Sequence, residues 1–60
     1  MTGTCPVCDA QYTADDEAIT DRATAAHIRE RAVRDERHRE WIERHTETGS
    51  VEEIREALRA

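Results

Sequence analysis

The sequence predicts a mostly α-helical fold with a Cys-x-x-Cys knuckle and a short β-hairpin at the N-terminus, one long helix, and a short C-terminal helix folded back as a helical hairpin. Residues 3–13 contain the only proline, one of the two glycines and both cysteines, whereas residues 14–48 contain neither glycine nor proline. We therefore expect one domain in the 60 residues, with a knuckle (1–13), a long helix (14–48) and a C-terminal helix (50–60).

The knuckle is centred on the motif Cys5-Pro6-Val7-Cys8. Two cysteines at this spacing can supply half of a tetrahedral metal site. The alternative is a redox pair, because C-P-x-C resembles the glutaredoxin active site. That fold requires a strand before the motif and a βαβ frame after it, and the four residues before Cys5 are too few for a strand of such a frame. The motif thus predicts that Cys5 and Cys8 are metal ligands.

The long helix is indicated by its start signals and by the absence of breakers. Thr13 followed by Asp16, and Thr20 with Asp21, are candidate N-caps, and acids in the first turn suit the helix dipole. These signals predict a helical turn over residues 15–19 and a long helix over about residues 21–47.

The C-terminal helix has a stronger start signal. Gly49 is placed as a left-handed C-cap of the long helix, and Ser50 with Glu53 forms a capping box. An isolated helix of this length is unstable in water, so we expect it to pack on the long helix near Trp41 and Ile42.

Composition indicates a small core in a soluble compartment. The net charge is -5, all nine basic residues are arginine, and there is one Trp, one Tyr and no Phe. A metal, a partner chain or both should therefore assist folding. The absence of an apolar run of about 20 residues predicts a cytoplasmic protein without membrane contact. The acidic, arginine-only composition is typical of salt-adapted organisms such as haloarchaea.

Two faces can be separated on a continuous helix at 100° per residue. An apolar stripe predicts a homodimer contact and consists of Ile19, Ala23, Ala26 and Val33. A neighbouring stripe without acids holds all three histidines and consists of Ala23, His27, Arg31, Arg34, His38, Trp41 and His45. Within it, the predicted face for nucleic acid or a partner protein is formed by Arg31, Arg34, His38 and Trp41.

His27 is the predicted third metal ligand, because it lies about two turns into the helix that follows the knuckle. The fourth ligand is open between Glu30, His38 and His45. Glu30 is three residues after His27 and could reach the same metal. On a straight helix, however, His27 and His38 would be about 16 Å apart, at about 1.5 Å per residue. The alternatives are a site completed by Glu30 or water, a site shared between two chains, and a site using His38 and His45 after local unwinding.

These residues resemble the very small haloarchaeal zinc-finger proteins that carry a CPxC knuckle near the N-terminus. The resemblance rests on residues 5–8, the short chain and the composition. This sequence departs from the commoner pattern, since Asp9 stands where many such knuckles have Gly and no second CPxC follows. The resemblance implies a zinc-binding regulator that acts in transcription, with Cys5 and Cys8 as ligands.

Two hypotheses of function follow. The first is a small zinc-binding transcription regulator that contacts DNA or a transcription protein. The second is a homodimeric protein-interaction module with a structural zinc and no DNA contact. We do not expect an enzyme or a small-molecule substrate. A catalytic zinc needs an open coordination position inside a pocket, and sixty residues with so small a core can hardly enclose one.

Overall fold

The computed structural model describes residues 1–59 and has a short β-hairpin followed by three helices. The hairpin pairs β1 (Thr2–Thr4) with β2 (Gln11–Thr13) in antiparallel register, and the helices are α1 (Glu17–Arg31), α2 (Glu36–His45) and α3 (Val51–Arg59). This arrangement confirms the mostly α-helical class with an N-terminal hairpin. Within residues 1–59, no helix is both long and apolar enough to cross a membrane.

The knuckle is the loop of the hairpin and is closed by backbone hydrogen bonds. The N–H of Cys5 donates to the carbonyl of Ala10 at 2.8 Å, and the N–H of Asp9 donates to the carbonyl of Cys5 at 3.0 Å. Asp9 has φ +63°, in the left-handed region that glycine favours and that aspartate tolerates better than most residues. The sequence departure at Asp9 therefore keeps the backbone shape of the turn.

The hairpin lies directly on α1. A Cβ atom on Gly3 would stand 2.7 Å from Oγ1 of Thr24 and 3.3 Å from the carbonyl oxygen of Thr20. Glycine is therefore required at this position, because β1 approaches the helix backbone closely. Thr20 and Thr24 are buried beneath the hairpin. The turn predicted over residues 15–19 and the helix predicted from about residue 21 are one continuous helix, α1, with Asp16 as its N-cap through a hydrogen bond from Ala18 N–H.

The predicted long helix is two helices, which is the main difference from the sequence prediction. α1 ends at Arg31, a turn follows through residues 32–34, and Asp35 adopts an extended backbone with φ -119° and ψ 114°. Oδ1 of Asp35 accepts a hydrogen bond from the N–H of Arg37 at 3.0 Å and so caps α2. An aspartate N-cap thus restarts the helix in a new direction without glycine or proline.

The third helix starts as predicted but packs mainly onto α1, rather than onto the part of α2 around Trp41 and Ile42 where it was expected. Oγ of Ser50 accepts from the N–H of Glu53 at 3.2 Å. Gly49 is left-handed at φ +74°, although α2 already ends at His45. The core between the elements consists of Cys5, Ala25, Ile28, Ala32, Ile42 and Ile54, with Trp41, Val51 and Leu58 packed against it.

Candidate metal centre

Two cysteines and two histidines meet between the knuckle, α1 and α2, and they could bind a metal ion. The four residues are Cys5, Cys8, His27 and His38, and their ligand atoms all lie within 4.8 Å of one another. Sγ of Cys5 lies 3.6 Å from Nε2 of His38, and Sγ of Cys8 lies 3.2 Å from Nε2 of His27. A regular tetrahedron around zinc, with Zn–S of about 2.3 Å and Zn–N of about 2.0–2.1 Å, has S···N edges of about 3.6 Å. The donor set and its spacing therefore fit a tetrahedral ion.

Cys5, Cys8 and His27 were predicted as ligands. His38 was one of the three candidates for the fourth ligand. The break at Asp35 lets His38 turn back toward His27, so that their ring centroids are 5.3 Å apart. On an uninterrupted helix the two side chains would have been about 16 Å apart, at about 1.5 Å per residue. The structure thus brings four potential metal ligands together within a single chain.

The other two candidates for the fourth ligand lie outside this group. Glu30 is exposed on α1. His45 is exposed near the end of α2, where its Nδ1 hydrogen-bonds the carbonyl of Trp41 at 2.8 Å and its ring stacks on the indole at 4.3 Å. His45 therefore contacts Trp41 of its own helix and lies outside the cysteine and histidine cluster.

The predicted partner face is not one continuous surface. His38 is fully buried at the metal centre, and Trp41 is partly buried against the core. Arg31 and Arg34 remain exposed at the end of α1 and in the turn. The four residues share one face only on a straight helix. Because the chain changes direction at Asp35, Arg31 and Arg34 are separated from His38 and Trp41.

The two cysteines differ in their surroundings. Cys5 is fully buried and Cys8 is exposed. Burial raises the pKa of the Cys5 thiol, and hydrogen bonding from the backbone N–H groups of Cys8 and Val7 opposes part of this effect. A bound divalent cation would deprotonate both thiols. At the buried Cys5, the cation would supply the positive charge that stabilises the thiolate in place of water.

The histidines are held with Nε2 directed toward the cysteines. Nδ1 of His38 lies 2.6 Å from Oδ2 of Asp35, which fixes the N–H on Nδ1 and leaves Nε2 free to bind a metal. Tyr12 packs against the ring of His27 with a centroid distance of 5.6 Å. Burial, followed by the charge of His38, lowers the pKa of His27, which favours the neutral form that ligation requires.

Asp35 is the site residue that the sequence analysis missed. Its two oxygens perform separate tasks: Oδ1 caps α2, and Oδ2 accepts the hydrogen bond from His38. Hydrogen bonds from Arg37 N–H and from His38 lower the pKa of Asp35. The available signal was an aspartate followed by Glu36, an N-cap pattern in the middle of a helical segment.

No family model, curated protein or solved structure matches this chain. The site geometry is therefore the main basis for an assignment of function.

Proposed function

We propose that this chain is a small zinc-binding regulatory protein that acts in transcription through contacts with another protein. The observation that carries the proposal is the cluster of two cysteines and two histidines with tetrahedral spacing. Thiolate and imidazole ligands in a tetrahedral arrangement favour zinc over Mg²⁺ or Ca²⁺, which select oxygen ligands.

The role proposed for zinc is structural. Four protein ligands fill a tetrahedral zinc ion and leave no position for a substrate or a reactive water. Cys5 belongs to the hydrophobic core itself, beside Ile28 and Ile54. The ion would therefore join the hairpin to the helices, and activity would lie in the outer surface of the domain.

The charge distribution supports a protein partner over DNA. Residues 1–21 carry five acids and no basic residue. Four of these acids lie just before or within the first two turns of α1, the helix that follows the knuckle: Asp15, Asp16, Glu17 and Asp21. Phosphates would be repelled there, since a DNA-reading surface is usually basic. The role in transcription is proposed from the resemblance to the small haloarchaeal zinc-finger proteins.

Deletion of the gene tests the proposed role. We expect the abundance of a limited set of transcripts to change, and we expect the full-length wild-type chain to restore it. The variant Cys8→Ser should fail to restore it, whereas His45→Ala should succeed, because only Cys8 belongs to the metal centre. Transcript sequencing of five strains measures the effect: the parent, the deletion strain and the deletion strain carrying each of the three chains.

Restoration by Cys8→Ser, or no transcript change on deletion, would contradict the proposal. Its protein-contact part would be contradicted separately if the purified chain bound duplex DNA with affinity that decreased steeply with salt.

A further inference from the structure

One exposed face of α1 carries apolar side chains that the chain itself does not cover. Ile19 and Val33 are 57% and 77% exposed, and they are the large exposed hydrophobic residues of residues 1–59 besides Met1. Ala26 is exposed midway between them. Positions seven residues apart recur on nearly the same side of a helix, so these three residues follow one line, with Val33 just beyond the end of α1.

Two opposite charges lie on the same face, at equal distances from Ala26. Arg22 is four residues before Ala26 and Glu30 is four residues after it, and both are exposed. Within residues 1–59 neither side chain forms an ion pair, since the three pairs present join His38 to Asp35, Arg44 to Glu40 and Arg59 to Asp21. The face is thus apolar at both ends and carries one positive and one negative charge between.

This pattern is self-complementary when two copies are antiparallel. With Ala26 at a two-fold axis, Arg22 faces Glu30 of the partner subunit and Ile19 faces Val33 of the partner subunit. A parallel pair would instead place arginine against arginine and glutamate against glutamate. The small side chain of Ala26 lets the two helices approach where they cross.

We propose that two copies of this chain form a two-fold symmetric dimer through antiparallel α1 helices, with Ala26 at the axis. The inference deepens the proposed function, on which it rests, by naming a second copy as a protein partner. An isologous interface of this kind closes on itself and gives dimers rather than fibres.

Charged residues outside the Arg22 and Glu30 pairs also favour antiparallel helices. Before α1 and in its first turn lie Asp15, Asp16 and Glu17, and the far end of α1 and its turn carry Arg31 and Arg34. Antiparallel helices bring these acidic and basic ends toward each other in both halves of the dimer. Opposite charges at the two ends therefore add attraction in this orientation and would add repulsion in the parallel one.

The dimer should be weak. The face from Ile19 to Val33 is about 21 Å long, at about 1.5 Å per residue. A standard interface buries about 800 Å² per partner, which would be roughly a fifth of the 4340 Å² surface of this chain. A single helix face of this length offers less, so we expect dissociation in the micromolar range.

Charge reversal at the two central positions tests the orientation in the zinc-loaded full chain. The variants Arg22→Glu and Glu30→Arg should each weaken dimerisation by about tenfold or more, since each replaces two attractive pairs with two repulsive ones. The double variant R22E/E30R restores both pairs and should dimerise like the wild type. Sedimentation velocity over a concentration series measures the dimer dissociation constants.

The matched controls are Arg44→Glu on α2 and Glu52→Arg on α3, which make the same changes in net charge away from this face and should leave the dimer unchanged. A monomeric wild type at about 1 mM, well above the micromolar dissociation expected for a weak interface, would overturn the inference. So would single variants that dimerise like the wild type, which is the result expected of parallel helices.

Native mass spectrometry of each sample separates this inference from the proposed function. A chain that carries zinc and yet remains monomeric in sedimentation at about 1 mM, far above a micromolar dissociation constant, would overturn the dimer alone. A chain without zinc would contradict the proposed zinc-binding function instead.

Discussion

Removal of the metal is expected to abolish most of the helical signal of the chain. Zinc binding contributes about 10–16 kcal/mol to the folding of zinc-finger peptides at neutral pH. In a chain this short, the free energy gained by burying the hydrophobic core is nearly cancelled by the conformational entropy lost on folding, so the core alone leaves a net stability close to zero. The metal contribution is the larger of the two, so the remaining core should not maintain the fold.

The location of the ligands explains why the helices should unfold together with the knuckle. The four potential ligands come from the hairpin loop, from α1 and from α2. α2 has ten residues and α3 has nine, and both are too short to persist alone in water. Once His38 is no longer bound to the metal, nothing holds α2 against the knuckle, and the core that contains Cys5, Ile42 and Ile54 is destabilised.

Circular dichroism at 222 nm during titration with a zinc chelator measures this loss. The signal should decrease as the ion leaves and should recover when zinc is added back under reducing conditions. The same chelator saturated with zinc before it is added serves as the control and should have no effect. A helical signal that persisted after complete removal of zinc would contradict the account.

Replacement of Asp35 by Asn is expected to lower zinc affinity by about 10–100-fold, the usual effect of losing a partner of a metal-bound histidine. Asp35 uses one oxygen to cap α2 and the other to accept from His38. An asparagine side chain has one oxygen and can perform only one of these tasks. Because asparagine is as good an N-cap as aspartate, the cost should appear in metal binding more than in helix stability.

Asp16→Asn is the matched control for this prediction. Oδ1 of Asp16 caps α1 by accepting from the N–H of Ala18 at 2.9 Å, and Asp16 lies outside the group of metal ligands. Its replacement should leave zinc affinity unchanged. Asp35→Ala should lose the affinity and, in addition, about 1 kcal/mol of capping free energy. Competition with a colorimetric zinc chelator gives the affinities, and equal affinities for Asp35→Asn and Asp16→Asn would contradict the role assigned to Asp35.

The hairpin and the last helix could be predicted from the sequence because their signals are local. The cluster of proline, glycine and cysteine marks the knuckle, and Ser50 with Glu53 marks the start of α3. The spacing of Cys5, Cys8 and His27 along the chain was enough to predict that they belong to one potential metal site. These features depend on neighbouring residues and hardly at all on tertiary contacts.

The break between α1 and α2 was not predicted, and the expectation of one long helix through residues 32–35 was wrong. Residues 32–35 contain neither glycine nor proline, and helix propensity alone allows the helix to continue through them. The break depends on the cap made by Asp35 and on the burial of His38 beside Cys5. The cap is a local contact between residues two apart, whereas the burial of His38 beside Cys5 is a tertiary contact between residues 33 apart. Together they place His38, rather than Glu30 or His45, in the group.

Native mass spectrometry of the wild type, His38→Ala and His45→Ala shows which histidine completes the metal site, because it gives both the metal content and the number of chains. We expect one zinc per chain in the wild type and in His45→Ala, and loss of zinc or greatly weakened binding in His38→Ala. His38→Cys should bind zinc again, since a thiolate can replace the imidazole as a ligand. Zinc retained in His38→Ala and lost in His45→Ala, or one zinc for every two chains, would contradict a site formed by Cys5, Cys8, His27 and His38 of one chain.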